Sequence, residues 1–460
     1  MCQSSIILTA PTSTPRASLA ALGLQLQQLD LFGPIREQVH IPQKTVRYTP
    51  SEKLYDAFIA LLAGAQGLVE INTRLRSDPA LQRAFGRAAC AEQSVVQATL
   101  DACDATTVAQ MEAAIDAIYR QHGQGYRHPF AEAWQLLDAD MTGLPCGPKA
   151  ALATPGYFAR QRNRRGRQLG RVLATIYHEV VVDRLFDGTT QLRRALVPLI
   201  EAAERTLELD EARRTRTIIR VDAGGGTLED VNWLLSRGYR ILLKEYSGHR
   251  ARNLAASVTT WVDDPLFPGR QLGWVTAVAS DYVRPVQRIA VRCRKRNGQW
   301  GIAVLITNVP GTALGALLGQ GLPDSTDPTA VLLATVYAYD RRGGGVETAI
   351  KEDKQGLGLG RRNKKRFEAQ QMVSYLGALA HNVLVWARTW LARTVAQLAQ
   401  FGIKRLVRDV LQINGTIEWD CAGHISRVVL NQAHCLARRV AMALQALIPS
   451  QHVVITWGET

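Results

Sequence analysis

Thr217-Ile218-Ile219-Arg220-Val221-Asp222-Ala223-Gly224-Gly225-Gly226-Thr227 sets a mostly β-branched apolar run against one acid and three glycines. The run reads as a buried strand that delivers Asp222 at its C-terminal end. The glycines turn the chain into a helix whose start is capped by the pair Thr227 and Asp230. Gly238 closes that helix, and Tyr239 to Lys244 reads as the next strand. Strand, helix, strand at this length is a parallel crossover unit, so the chain belongs to the α/β class. The glycines have no following Gly-Lys-Ser/Thr, which argues against a nucleotide phosphate loop.

Upstream, Ala133 to Leu137 is an apolar run leading into Asp138-Ala139-Asp140-Met141-Thr142-Gly143, a strand that ends in paired acids. Two aspartates near a turn are by themselves turn formers or caps. Gly156 to Arg171 is rich in arginine (Arg160, Arg162, Arg164, Arg165, Arg167, Arg171) and reads as a basic hairpin suited to backbone phosphates, with strand following over Val172 to Phe186. Thr189 or Thr190 caps a helix over Leu192–Leu207 that contains Pro198. From Leu24 to His122 the period is helical. Arg74, Arg76, Arg83, Arg87 and the Ser94–Leu100 segment are candidates for a groove-binding helix.

Downstream, Arg288–Cys293 and Gly301–Ile306 flank Asn297-Gly298, a strong hairpin signal. Tyr339 to Leu359 carries Glu347, Lys351 and Lys354 at i, i+4 and i+7, hence on one helical face. Arg361-Arg362-Asn363-Lys364-Lys365-Arg366 follows, then a long helix over Phe367–Thr394. The tail reads as a small sheet, Ile403–Leu411 with Thr416–Val429, and a helix over Asn431–Leu447. Asp222 and Glu347 are 125 positions apart, too far for one helical connection, so the strand-rich segment between them reads as an insertion.

The order Tyr339, Arg342, Glu347, Lys354 resembles the Tyr-Arg-Glu-Lys signature of insertion-sequence DNA transposases with an Asp-Asp-Glu site. Four residues separate Arg342 from Glu347 where that signature has three, as though one glycine of Gly343 to Gly345 were extra. The strand ending at Asp140 resembles the first-aspartate strand of the same family, with Asp138 as the alternative, and the strand ending at Asp222 resembles the second. The resemblance implies a ribonuclease-H-like mixed sheet flanked by helices, with Asp140, Asp222 and Glu347 as the catalytic, metal-binding acids. It implies Mg2+, or Mn2+ in its place, as cofactor. It assigns Tyr339, Arg342 and Lys354 to the DNA backbone, and Lys351, Arg361, Arg362, Lys364 and Lys365 read as further DNA contacts.

The formal charge of +15, from 55 basic and 40 acidic residues, favours a polyanionic partner. Seven scattered cysteines without a Cys-x-x-Cys pair indicate neither a disulfide framework nor a structural zinc site and suit a reducing compartment. No basic leader precedes the short N-terminal apolar run, and Asn308, Pro310 and glycines break the uncharged stretch Gly301 to Leu322 into a strand and a helix. The expected organisation is an N-terminal helical, DNA-binding region (1–128), a catalytic domain in two parts (129–245 and 311–400) around a β-rich insertion (246–310), and a C-terminal region (401–460). The expected protein is a cytoplasmic, nucleoid-associated cut-and-paste transposase without a membrane contact. It acts as a homodimer on double-stranded DNA, both the inverted repeats of an element and its target. A catalytically silent DNA-binding descendant and a structure-specific nuclease of the same fold are the alternatives.

Overall fold

Strands rich in Val, Ile and Leu, buried on both faces, require helices above and below them. In the computed structural model, which describes residues 11–45, 47–156, 158, 161, 164–277, 281–319, 327–448 and 452–460, they have them. The chain divides into two units, one of Gln124–Leu144 and Thr154–Ala349, the other of Met1–Gly123, Pro145–Ala153 and Ile350–Thr460.

The 124–349 unit is built on a mixed ten-stranded sheet. Its main strands are β1 (Gln135–Pro145), β2 (Arg165–Ala174), β3 (Glu179–Asp187), β4 (Thr217–Val221), β5 (Arg240–Lys244), β6 (Arg270–Trp274), β7 (Gln287–Arg294) and β8 (Trp300–Thr307). Their order is β2-β1-β4-β5-β8-β7-β6, with β3 paired to β2. β1, β4 and β5 run parallel, and β2 with β3 forms an antiparallel hairpin. This is the mixed sheet flanked by helices that the sequence led us to expect. The expected crossover is present: β4, helix α2 (Leu228–Ser236) capped by the Thr227 side chain, then β5.

The strand-rich segment after β5 continues the same sheet. β8 adds antiparallel to β5, with Thr307 opposite Leu242, and the β7–β8 hairpin turns at Gly298, whose φ of +79° suits glycine. Helix α1 (Leu192–Leu207), with Pro198 inside it, covers β2 and β3. On the other side Leu136, Ile218 and Leu242 meet Ala313 and Leu314 of α3 (Gly311–Leu318) and Ala334 and Ala338 of α4 (Pro328–Asp340). Thr189 and Thr190 do not cap α1. Both hydroxyls donate to Asp187, and Gln191 stands at the cap position without a side-chain bond.

The arginines of the expected basic hairpin divide by position along the chain, because β2 is buried on both faces from Gly166 onward. Arg167 and Arg171 are 1% exposed, and Arg171 donates twice to Asp183 at 2.7 Å, so neither reaches toward a phosphate. Arg164 and Arg165 are exposed, while Arg160 and Arg162 lie outside the described residues.

The other unit is mainly helical. Helix Phe367–Ala392 is buried nearly all round and packs against Pro50–Leu62, Gln93–Asp101, Ala105–His122 and Ala437–Leu447. A four-stranded sheet joins Thr12–Thr14 to Gly415–Trp419, then Ile425–Asn431 and Val454–Gly458. Ile403–Leu411, expected as strand, is a short helix and a π turn, because Ile403, Leu406, Val407 and Val410 turn inward at helical spacing. Arg87, expected to face DNA, is buried and paired with Asp56 at 2.9 Å and with Glu52. Arg83 lies over the Trp419 ring at 4.0 Å.

One charged pair sits inside the 124–349 unit. Asp138 of β1 and Arg220 of β4 are register partners, 0% and 1% exposed. The guanidinium donates to both carboxylate oxygens at 2.7 and 2.8 Å and also to the Ala338 carbonyl of α4. Removing one partner strands the other charge in the core, so Asp138→Ala should destabilise the chain by about 3–5 kcal/mol in urea unfolding. The double change Asp138→Leu with Arg220→Met should cost much less than the sum of the two single changes.

Candidate functional site

Strand geometry carries the buried pair forward to the first two acids. Side chains repeat every second residue, so Asp140 projects on the face of Asp138, and Asp222, just past the end of β4, follows Arg220 by two. The Met141 amide donates to Asp140 Oδ1 at 2.8 Å, and the Gly224 amide donates to Asp222 Oδ1 at 2.8 Å. Each carboxylate is thereby fixed at one oxygen with the other left for a ligand. A cleft of about 380 Å³ runs alongside both, lined also by Thr142, Gln168, Thr190 and Gln191.

The third acid arrives by a turn. After α4 the chain makes one tight turn, Arg341–Gly344, and enters helix α5 (Val346–Gly356) with Glu347 in its first turn. Gly345 lies against the buried pair, where a β-carbon would stand 2.3 Å from Asp138 Oδ2. Gly343 and Gly344 have nothing within 4 Å of that position. Gly345 is therefore the one of the three glycines that packing demands.

All three acids meet at Arg342. Its guanidinium lies 3.7 Å from Asp140 Oδ2 and 3.6 Å from Asp222 Oδ2, and it donates to Glu347 Oε1. Arg342 is 5% exposed, whereas the acid side chains are 17%, 45% and 53% exposed in the order Asp140, Asp222, Glu347. The cation thus underlies the acids, and the acids face outward. Burial opposes the charge on Arg342, but Asp140 and Asp222, with Tyr339 and Glu347, raise its pKa above the ordinary value. Burial pushes Asp140 up to about 6, opposed by Arg342 and reinforced by Asp222.

Three carboxylates are hard oxygen donors of the kind that hold Mg2+. Around Arg342 they are not gathered on a common point: among the described residues no set of three His, Cys, Asp or Glu side chains is close enough to hold an ion. The donor type suits a divalent cation, and in this structure the Arg342 guanidinium is the cation that the three acids contact.

The DNA-contact candidates separate. Arg342 turns to the acids and presents nothing to a phosphate. Tyr339 is half-buried against Leu332 and Val336, and burial raises its hydroxyl pKa. Lys351 and Lys354 are exposed on later turns of α5. In the basic run Arg361 and Lys365 are exposed, but Arg362 and Lys364 are 4% and 7% exposed. Arg362 donates to the Leu357 carbonyl and Lys364 Nζ to Gln97 Oε1 at 2.9 Å, and burial lowers the Lys364 pKa to about 8. Alternating burial across the run reflects a chain packed on one side, not a uniformly basic loop. The residues that sequence reasoning did not weigh are Arg220 and Gly345. A lone arginine inside a parallel strand was the available signal for the first.

No protein-family profile matches the chain, and no curated protein does. Among solved structures it is similar to a piggyBac transposase synaptic complex with hairpin DNA, determined by cryo-EM, at 11% identity and a TM-score of 0.43, over 88% of this chain and 82% of that one. Among the described residues no helix is long and apolar enough to cross a membrane.

The Asp140 shift has a sign that can be checked. The folded state keeps its proton up to about pH 6, whereas the unfolded chain loses it near the ordinary value of 3.8, so stability falls as pH rises between the two. Asp140→Asn should therefore stabilise the metal-free protein by roughly 2–3 kcal/mol near pH 8 and have little effect near pH 4, measured by chemical unfolding in EDTA.

Proposed function

We propose that this chain is a DNA transposase that cuts and rejoins phosphodiester bonds at the ends of a mobile element. The observation that supports this most is the convergence of Asp140, Asp222 and Glu347, from a strand, a second strand end and a helix start, on one guanidinium. A structural ion pair needs one carboxylate; three around one arginine leave a net negative, outward-facing site. A divalent ion, Mg2+ or Mn2+, held there would activate the attacking oxygen and stabilise the departing one. The chain's own part is to fix the acids through the Met141 and Gly224 amides and to leave one carboxylate oxygen of each aspartate turned away from its anchor. The cleft beside them is open to solvent and wide enough for a phosphate backbone.

DNA as the partner is supported by the +15 charge, with Lys351, Lys354, Arg361 and Lys365 exposed on the surface. Cleavage of two element ends calls for two protomers, so the working form is proposed to be a homodimer on paired ends.

Purified protein, linear DNA bearing the element's own ends, and Mg2+ test the reading. Cleaved and joined products are expected; cleavage without joining would reduce the protein to a nuclease, and no cleavage would leave a silent DNA-binding protein. Asp222→Asn should abolish cutting while leaving DNA retention in a gel shift unchanged. Binding should weaken with salt at a log-log slope of about 0.9 per phosphate neutralised, and a flat response would remove backbone recognition.

A further inference from the structure

Arg342 contacts all three acids at once, and its surroundings suggest a purpose beyond that of an ordinary ion pair. It is the only basic side chain paired with Asp140, Asp222 or Glu347 among the described residues. It neutralises one of three negative charges, so the site remains attractive to a cation from the solvent side, where the acids are more exposed than the arginine. Its Nε is buried and has no hydrogen-bond partner among the described residues, so the guanidinium is held by the carboxylates and not by a closed network. The turn that carries it also contains Gly343 and Gly344, neither packed at its β position, and is followed by Gly345, which is pinned against Asp138. The side-chain positions next to Arg342 thus face open space, while the start of the glutamate helix is anchored.

We propose that Arg342 is a built-in counter-ion that occupies the acid site until a divalent cation displaces it, so that metal loading and withdrawal of the guanidinium are a single event. The proposal rests on reading the three acids as a metal site. A guanidinium and a divalent ion among the same three carboxylates repel each other at close range, where water screens them least. The ion's second positive charge decides the exchange once the ion is abundant. Between loading events Arg342 keeps the acids from repelling one another. Once displaced, it is a fork of donors beside the acids, matched in shape to a phosphate.

The test is Mn2+ binding to the full-length protein by titration calorimetry, without DNA, with thermal melts in EDTA and in Mn2+. Arg342→Gln should bind Mn2+ at least about tenfold more tightly than the unaltered chain, and Arg342→Lys, with a single ammonium and no fork, should fall between. In EDTA the Gln variant should melt lower than the unaltered protein, and Mn2+ should raise its melting temperature by more. Equal or weaker Mn2+ binding by the Gln variant overturns the proposal. If that variant does not fold, the Lys variant decides by the same comparison. Binding by the unaltered chain that Asp222→Asn abolishes, with Arg342→Gln unchanged, leaves the metal site standing and removes the counter-ion role. Absence of Mn2+ binding in both the unaltered chain and the folded variant removes both.

Discussion

The bidentate contact of Arg220 with Asp138 is the constraint from which the acid site is laid out. It joins two neighbouring parallel strands at a rung where both partners are fully buried, and its third bond, to the Ala338 carbonyl, fastens the helix that leads to the glutamate. Burying two charges is expensive, and an apolar pair of similar volume would hold two strands together at lower cost. What an apolar pair lacks is direction. A guanidinium fork fixes strand register and helix position together, and Asp140 and Asp222 sit two residues beyond that rung on the same face. The arrangement therefore couples the precision of the acids to the integrity of one ion pair beneath them.

Above that pair the electrostatics invert. Asp138 has a full partner and is shut off from solvent, while the outer acids share one arginine and face outward. Asp140 is the intermediate case: partly enclosed, near a second carboxylate, and raised toward neutrality mainly by burial. A perturbed acid at an open cleft marks a candidate functional position, and the contrast with the fully buried, paired Asp138, two residues earlier on the same strand, draws the distinction within a single element.

Much of the fold was legible because it rests on local patterns. The apolar run ending at Asp222, the Thr227 cap, the Asn297-Gly298 turn and the 3.6-residue stripe from Phe367 onward each follow from short-range chemistry. The convergence of the acids did not follow from periodicity at all; only a resemblance grouped Asp140, Asp222 and Glu347, since nothing local links positions so far apart. Charge misled the reading of the arginines. Arg87, Arg167, Arg171 and Arg362 look like solvent-facing cations in one dimension, yet tertiary partners or carbonyls take them inside. Ile403–Leu411 misled it differently: a short apolar run fits strand and helix equally, and neighbouring packing decided for helix.

The way the chain alternates between its two units bears on how it is made. Residues 124–349 are nearly one continuous stretch, so everything that holds the three acids leaves the ribosome together and can condense early. The helical unit is assembled from both ends: Thr12–Thr14 must wait for Gly415–Trp419 before its sheet exists. During synthesis Thr12–Thr14 therefore stays without its strand partner until Gly415–Trp419 has been made, which prolongs the time in which that unit's apolar surfaces are open to misassembly.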